Sequence, residues 1–260
     1  MAITLRSPRE IELMRQAGAV VADVLLKLKE NSKPGVTTVD QNNIALQMVE
    51  EAGAEALFKG VRSPLSKVPF PGAICTSINE QLVHGIPSEK TILNEGDILS
   101  IDFGVRLNGY CGDSAITVAI GQISAEKRRL MDLTKSILDI AIEKAAPNVK
   151  WSQIAAVMQQ KAESAGFSVV RDFVGHGIGT NMHEDPKVPN FVSRELLAND
   201  IVLTEGMVIA VEPMVNAGSS AVRTLRNGWT VVTKDKKCSA HFEHTIAIVE
   251  NGCEILTSKK

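Results

Sequence analysis

The feature that most limits what this chain can fold into is an internal duplication. Glu95-Gly96-Asp97-Ile98-Leu99-Ser100-Ile101-Asp102 is matched by Glu205-Gly206-Met207-Val208-Ile209-Ala210-Val211-Glu212, and each copy reads as a strand ending in a carboxylate. A second pair follows, Asp113-Ser114-Ala115-Ile116-Thr117-Val118 against Glu243-His244-Thr245-Ile246-Ala247-Ile248, with the acid now at the start of the strand. The helices repeat as well. Ser7-Pro8-Arg9-Glu10 supplies a capping serine, a proline at the first helical position and a glutamate three residues after the cap, ahead of apolar residues at helical spacing through Leu28. A second helix is predicted from Thr38 or Asp40 to Ala52-Gly53, entered from Pro34-Gly35-Val36. Pro147-Asn148-Val149 and Ala165-Gly166 frame its counterpart at a constant offset of 113 residues. Acids at strand ends commonly serve solubility, but four in symmetric register ask for a shared purpose. The pattern predicts one domain, 1–260, α+β in class, made of two pseudo-symmetric halves of roughly 7–122 and 123–255, with sheet inside and helices outside.

A chain of 260 residues that is 44% hydrophobic and 22% charged can bury a sizeable core, which excludes a disordered or fibrous protein. Its formal net charge of -2 gives no basic excess for gripping phosphate backbones, so no specific nucleic acid is expected as a partner. Cys75, Cys111, Cys238 and Cys253 are scattered without Cys-x-x-Cys spacing, against both a zinc knuckle and a disulfide framework, and a reducing compartment fits them best. The start has no apolar core of signal-peptide length, and no run approaches the roughly eighteen apolar residues of a membrane span. A soluble, cytoplasmic protein without a membrane partner is expected.

Between Asp102 and Asp113 lies Asn108-Gly109, the strongest short-range hairpin signal. A two-residue turn there sets Leu107 opposite Tyr110 and Asp102 opposite Ala115, which puts Asp113 on the same sheet face as Asp102, about 7–8 Å away along the diagonal. Two acids aimed into a core repel and lose hydration, so they need a positive partner. No lysine or arginine lies between Asp113 and Lys127. A metal ion is the economical answer. Among the histidines, His176 stands out within Gly175-His176-Gly177-Ile178-Gly179, where glycines would let the backbone approach a ligand closely. A phosphate loop is the competing reading, but no Lys-Ser or Lys-Thr follows. His241 reads as an ordinary satisfied histidine. Four carboxylates and an imidazole carry too much charge for one tetrahedral zinc. They suit two divalent ions about 3.5–4 Å apart that hold a hydroxide between them and polarise a carbonyl. The donors favour cobalt, manganese, iron or zinc over copper.

Several motifs together resemble the type I methionine aminopeptidases, the metallopeptidases of the pita-bread fold. They are Cys75-Thr76-Ser77-Ile78-Asn79-Glu80, Val83-His84-Gly85-Ile86-Pro87, Ile101-Asp102-Phe103, Gly112-Asp113-Ser114, the His176 segment, His183-Glu184, Val211-Glu212-Pro213-Met214, Gly228-Trp229-Thr230 and Phe242-Glu243-His244-Thr245. The resemblance spans nearly the whole chain and implies a central antiparallel sheet covered by helices on its outer side. It implies Asp102, Asp113, His176, Glu212 and Glu243 as ligands of two divalent ions, with Asp113 and Glu243 bridging. It makes Glu212 the proton-moving group, and gives His84 and His183 contacts to the scissile peptide and its oxyanion. Phe70, Cys75, Met182 and Trp229 would line the methionine pocket, together with His84 and His183 at the substrate; unaided by the resemblance, Phe70 and Trp229 read as core and Cys75 as an inert thiol. The implied reaction is removal of the N-terminal methionine from nascent chains with a small second residue, by attack of a metal-bridging hydroxide on the first peptide bond. The enzyme would be a monomer working near the ribosome, and its own Met1-Ala2 fits the substrate rule. The chain departs from the family pattern in three places: a longer Lys59–Pro71 segment without tyrosines, Met182 in place of an aromatic residue, and His241 in place of glutamine, two positions before Glu243 and so on its side of the strand, where it would alter the surroundings of the metal ligands. The alternatives are an X-Pro peptidase of the same fold, which usually carries an extra amino-terminal domain, and a non-catalytic relative that binds protein or RNA.

Overall fold

The computed structural model describes residues 3–259, so the Met1-Ala2 pair lies outside the described residues. Helix α1 (Pro8–Asn31) begins where the cap signal places it, with Ser7 and Glu10 forming a reciprocal capping box, and α2 (Thr38–Glu51) has the same device from Thr37 and Asp40. Three short strands follow, β1 (Glu55–Ala56), β2 (Cys75–Ile78) and β3 (Gln81–Val83), and then a long hairpin of β4 (Ile98–Leu107) and β5 (Tyr110–Ala119). The second half opens on α3 (Ala125–Lys144) and α4 (Trp151–Ser164), then β6 (Ser168–Val169), β7 (Gly175–Gly177), β8 (Glu184–Val188), α5 (Arg194–Ala198) and β9 (Val208–Val211). It closes with β10 (Met214–Asn216), β11 (Val222–Thr224), β12 (Val231–Thr233), β13 (Ser239–His241), β14 (Glu243–Val249) and β15 (Gly252–Ile255).

Nine of these strands form one antiparallel sheet, in the order β1, β4, β5, β14, β9, β7, β8, with β2 also on β4 and β15 on β14. Its middle joins the halves, because β5 of the first pairs with β14 of the second. Asn108 and Gly109 both take positive φ, 53° and 84°, the pair of angles a tight hairpin turn requires. The register is the one read from the sequence, Leu107 opposite Tyr110 and Asp102 opposite Ala115. One expectation needs correcting: Asp102 does not end its strand. It sits midway along β4, and Asp113 is likewise inside β5, since the hairpin pairs continuously across both positions; only Glu212 and Glu243 lie at strand boundaries.

The duplication extends to backbone hydrogen bonds. Gly35 donates to the Leu93 carbonyl and Leu93 to Val36, as Asn148 donates to Leu203 and Leu203 to Val149. Alternation along each strand then divides the two faces. Leu99, Ile101, Phe103 and Val105 pack in a buried cluster with Val21, Val24 and Leu28 of α1, whereas Ser100, Asp102 and Gly104 turn the other way. Ile209, Val211, Ile246 and Ile248 do the same against Leu138 of α3 and Ile154 and Met158 of α4, leaving Glu212 and Glu243 on the opposite face. Each fully buried aliphatic or aromatic side chain contributes about 1.5–3 kcal/mol to folding, so the helix-covered face stabilises the sheet while the other face carries the acids. Among the described residues no helix is long and apolar enough to cross a membrane.

Candidate metal centre

Five adjacent strands each deliver one group to the concave face. In sheet order these are Asp102 from β4, Asp113 from β5, Glu243 from β14, Glu212 just beyond β9 and His176 from β7. Cross-strand pairing aligns them: Asp102 faces Ala115, Ala115 faces Glu243, and His244 faces Val211, so Glu243 and Glu212 fall on neighbouring positions. All five line one cleft of about 670 Å³, its open mouth included. The prediction that distant acids meet is therefore met in space.

Burial is deep. Asp113 and Glu243 are each 2% exposed, and oxygens of Asp102, Asp113 and Glu243 have no hydrogen-bond partner. Burial pushes the Asp113 carboxyl up to about 7, and burial followed by the repulsion of neighbouring acids pushes Asp102, Glu212 and Glu243 well above the carboxylate range. No lysine or arginine lines the cleft, and Arg106 instead pairs with Glu55 at 3.0 Å. Orphaned oxygens and mutually repelling acids fit a multivalent cation, which restores their ionised forms. His176 fits it as well. Its Nδ1 lies 2.9 Å from the Gly177 carbonyl, an acceptor that requires the proton on Nδ1. That leaves an Nε2 lone pair 3.7 Å from both Asp113 Oδ2 and Glu212 Oε1. Burial, then the neighbouring His183, hold this imidazole neutral, at about 4. The glycines flanking His176 have a different purpose from the one the sequence suggested. A Cβ on Gly175 or Gly177 would collide with the carbonyls of Ala210 or Asp185, so they admit neighbouring backbone, not a ligand.

Beside the acids are the other predicted residues. His84 follows β3 with φ 58°, a left-handed conformation uncommon for a residue with a side chain, and its ring meets Phe173 edge-on at 5.7 Å. His183 stands 4.4 Å from the His176 ring. Phe70 and Trp229 are edge to face at 5.2 Å and pack with buried Cys75, with Met182 against them, making an apolar wall contiguous with the metal face. The Lys59–Pro71 segment folds onto this wall, where Trp229 Nε1 donates to the Val68 carbonyl at 2.9 Å. Val83 at the end of β3 also lines the cleft, as do Phe58, Val61 and Phe173, which were not foreseen because they sit on loops with no periodicity to mark them. Gly104 was also missed, although alternation from Asp102 locates it: it faces Asp113, and a Cβ there would stand 3.1 Å from Asp113 Oδ1.

His241 corrects the reading of an ordinary satisfied histidine. It is 2% exposed, lines the cleft, and its Nε2 has no hydrogen-bond partner.

The comparisons agree with this geometry. The model of metallopeptidase family M24 matches residues 12–250. A protein of Clostridium acetobutylicum named methionine aminopeptidase is 47% identical over 255 residues, covering 98% of this chain and 98% of its own length. The crystal structure of methionine aminopeptidase from Thermotoga maritima superposes with a TM-score of 0.93 at 38% identity, covering 99% of this chain and all of that one. The prolidase of Pyrococcus furiosus shares the fold alone, with a TM-score of 0.73 at 22% identity; the match covers 98% of this chain but 66% of the prolidase.

Proposed function

Since this chain belongs to metallopeptidase family M24, we propose that it removes the N-terminal methionine from proteins and peptides whose second residue is small. The observation that carries the reading is the convergence of five ligating groups beside an apolar pocket of the right character. Phe70, Cys75, Met182 and Trp229 offer soft, polarizable walls to an unbranched thioether.

Asp102, Asp113, His176, Glu212 and Glu243 would hold two divalent ions, drawn from cobalt, manganese, iron and zinc. Such ions supply a nucleophilic water at neutral pH and polarise the scissile carbonyl. The rest falls to side chains. Glu212, with Oε1 toward His176 and Oε2 toward His241, receives the proton of the attacking water and passes it to the leaving amine. His84 and His183 stand on the substrate side and donate to the peptide and its oxyanion, a role worth about a hundredfold or more in rate each. The deep burial of the acids excludes bulk water, which strengthens these interactions. Nascent chains near the ribosome are the natural substrates, a monomer is enough to carry the whole site, and four free cysteines suit a reducing cytoplasm.

A peptide panel tests the assignment. Met-Ala-Ser should be cleaved after methionine, while Ala-Pro and Met-Pro peptides should survive; cleavage of the proline peptides in its place would make the chain an X-Pro peptidase. Full binding of peptide with no turnover under any of the four metals would make it a non-catalytic relative.

A further inference from the structure

His241 sits on β13 at the base of the cleft, and the five-residue ligand set gives it nothing to do. Its Nε2 lies 3.8 Å from Glu212 Oε2 and 3.7 Å from Glu243 Oε2. Hydrogen bonds from nitrogen to oxygen measure about 2.7–3.2 Å, so neither contact is one. Ligands of a single ion, bonded at about 2.0–2.2 Å, stand roughly 3–3.6 Å from one another, and these separations come close to that spacing. They also match the 3.7 Å that separates His176 Nε2 from Asp113 and from Glu212. The two imidazoles thus occupy equivalent stations around Glu212, His176 facing Oε1 and His241 facing Oε2. Glu212, His241 and Glu243 bring three potential ligand atoms within 4.8 Å of one another, as Asp113, His176 and Glu243 do. An unpartnered ring nitrogen at 2% exposure is costly to leave unmatched, and a cation is the partner that two carboxylates and an imidazole share best.

We propose that Nε2 of His241 is a metal ligand, which with Glu212 and Glu243 forms a further divalent-cation position beyond the two implied by the five-residue set. One nitrogen and two oxygens, with an open side toward the cleft, suit a borderline ion of the zinc class. The position rests on the aminopeptidase reading only in sharing Glu212 and Glu243 with it. It carries a functional consequence. An ion bound there engages Glu212 Oε2 and restrains the carboxylate that moves the proton, so metal in excess of the working ions inhibits the enzyme.

Equilibrium dialysis of the metal-free protein against zinc tests this, on the unmodified chain and on His241→Gln and His241→Leu. The unmodified protein should bind one more equivalent than either variant, with the tighter sites changed less than threefold. Inhibition of Met-Ala-Ser cleavage by excess zinc should weaken at least tenfold in both variants. X-ray absorption of the zinc-saturated unmodified protein should count two imidazole nitrogens per chain, which keeps the test decisive even where a variant fails to fold. A single imidazole, or superimposable isotherms for folded variants, would overturn the proposal. Loss of peptidase activity under every metal, with the extra equivalent retained, would instead count against the aminopeptidase reading alone.

Discussion

The two halves of the molecule build the same centre by different means. The first half places Asp102 and Asp113 on one uninterrupted hairpin, closed by two residues with positive φ. The second half splits the corresponding chain into short strands and inserts β10 to β13 between Glu212 and Glu243, so its acids become neighbours only through the sheet. The first half uses the shorter aspartates in mid-strand, the second the longer glutamates at strand boundaries, where the backbone is less constrained. The lesson is that the repeated unit conserves where the carboxylate arrives, while local secondary structure is free to vary.

The largest effect should come from breaking the centre on either side. Asp113→Asn and Glu243→Gln remove one ligand from each half, and each should lower kcat/KM for a methionyl peptide by at least roughly a thousandfold, with metal retention lost in parallel. Were one half dispensable, its variant would keep most of the activity and the equivalence drawn above would fail.

Glycine substitutions sharpen the contrast. Gly177→Ala in the second half pushes a Cβ into the backbone of Asp185 and should cost about 3 kcal/mol or more, read as a lower denaturation midpoint. Gly104→Ala in the first half meets the ends of side chains, Asp113 at 3.1 Å and Met182 at 3.4 Å. It should cost stability by less than about 1 kcal/mol yet raise KM several-fold, because the added methyl occupies the cleft.

Metal-induced stabilisation should depend on pH. The buried Asp113 carboxyl keeps its proton up to about 7 in the metal-free protein, while the unfolded chain releases it near 3.9. Burial of this acid therefore costs stability as pH rises from about 4 to about 7, and a cation that needs the carboxylate must displace a proton at the lower pH. His176, at about 4, is neutral throughout the window with or without a cation and cancels from the difference. The rise in Tm on adding manganese should grow between pH 5.5 and 7.5. A constant rise would show that Asp113 does not take part.

The smallest effect on catalysis is expected at the hairpin. Gly109→Ala forces a side chain into φ 84° and should cost about 1–2 kcal/mol, with kcat unchanged, since the turn fixes register far from the acids.

What the sequence disclosed follows the same division. Local devices were legible: the capping box at Ser7, the left-handed turn at Asn108-Gly109, and the register that puts Asp102 and Asp113 on one face. Duplication extended that legibility to Glu212 and Glu243. The role of the glycines around His176 was misread, because the backbone they make room for belongs to β8 and β9, brought there by tertiary pairing. His241, taken alone, read as a satisfied histidine; its spacing of two from Glu243 put it on the side of the ligands, but its lack of a partner depends on β13 pairing with β10 and on Thr117, whose hydroxyl binds the His241 backbone. Phe58 and Val61 precede a loop that meets the distant Trp229 through the Val68 carbonyl, a contact no local pattern reveals.

The most direct test of the centre is an anomalous-difference map from crystals grown with manganese. The geometry predicts density on the concave face among Asp113, His176, Glu243 and their neighbours Asp102 and Glu212, with each of the five side chains within bonding distance of an ion. Manganese bound elsewhere, or a centre from which one half's carboxylates turn away, would contradict it.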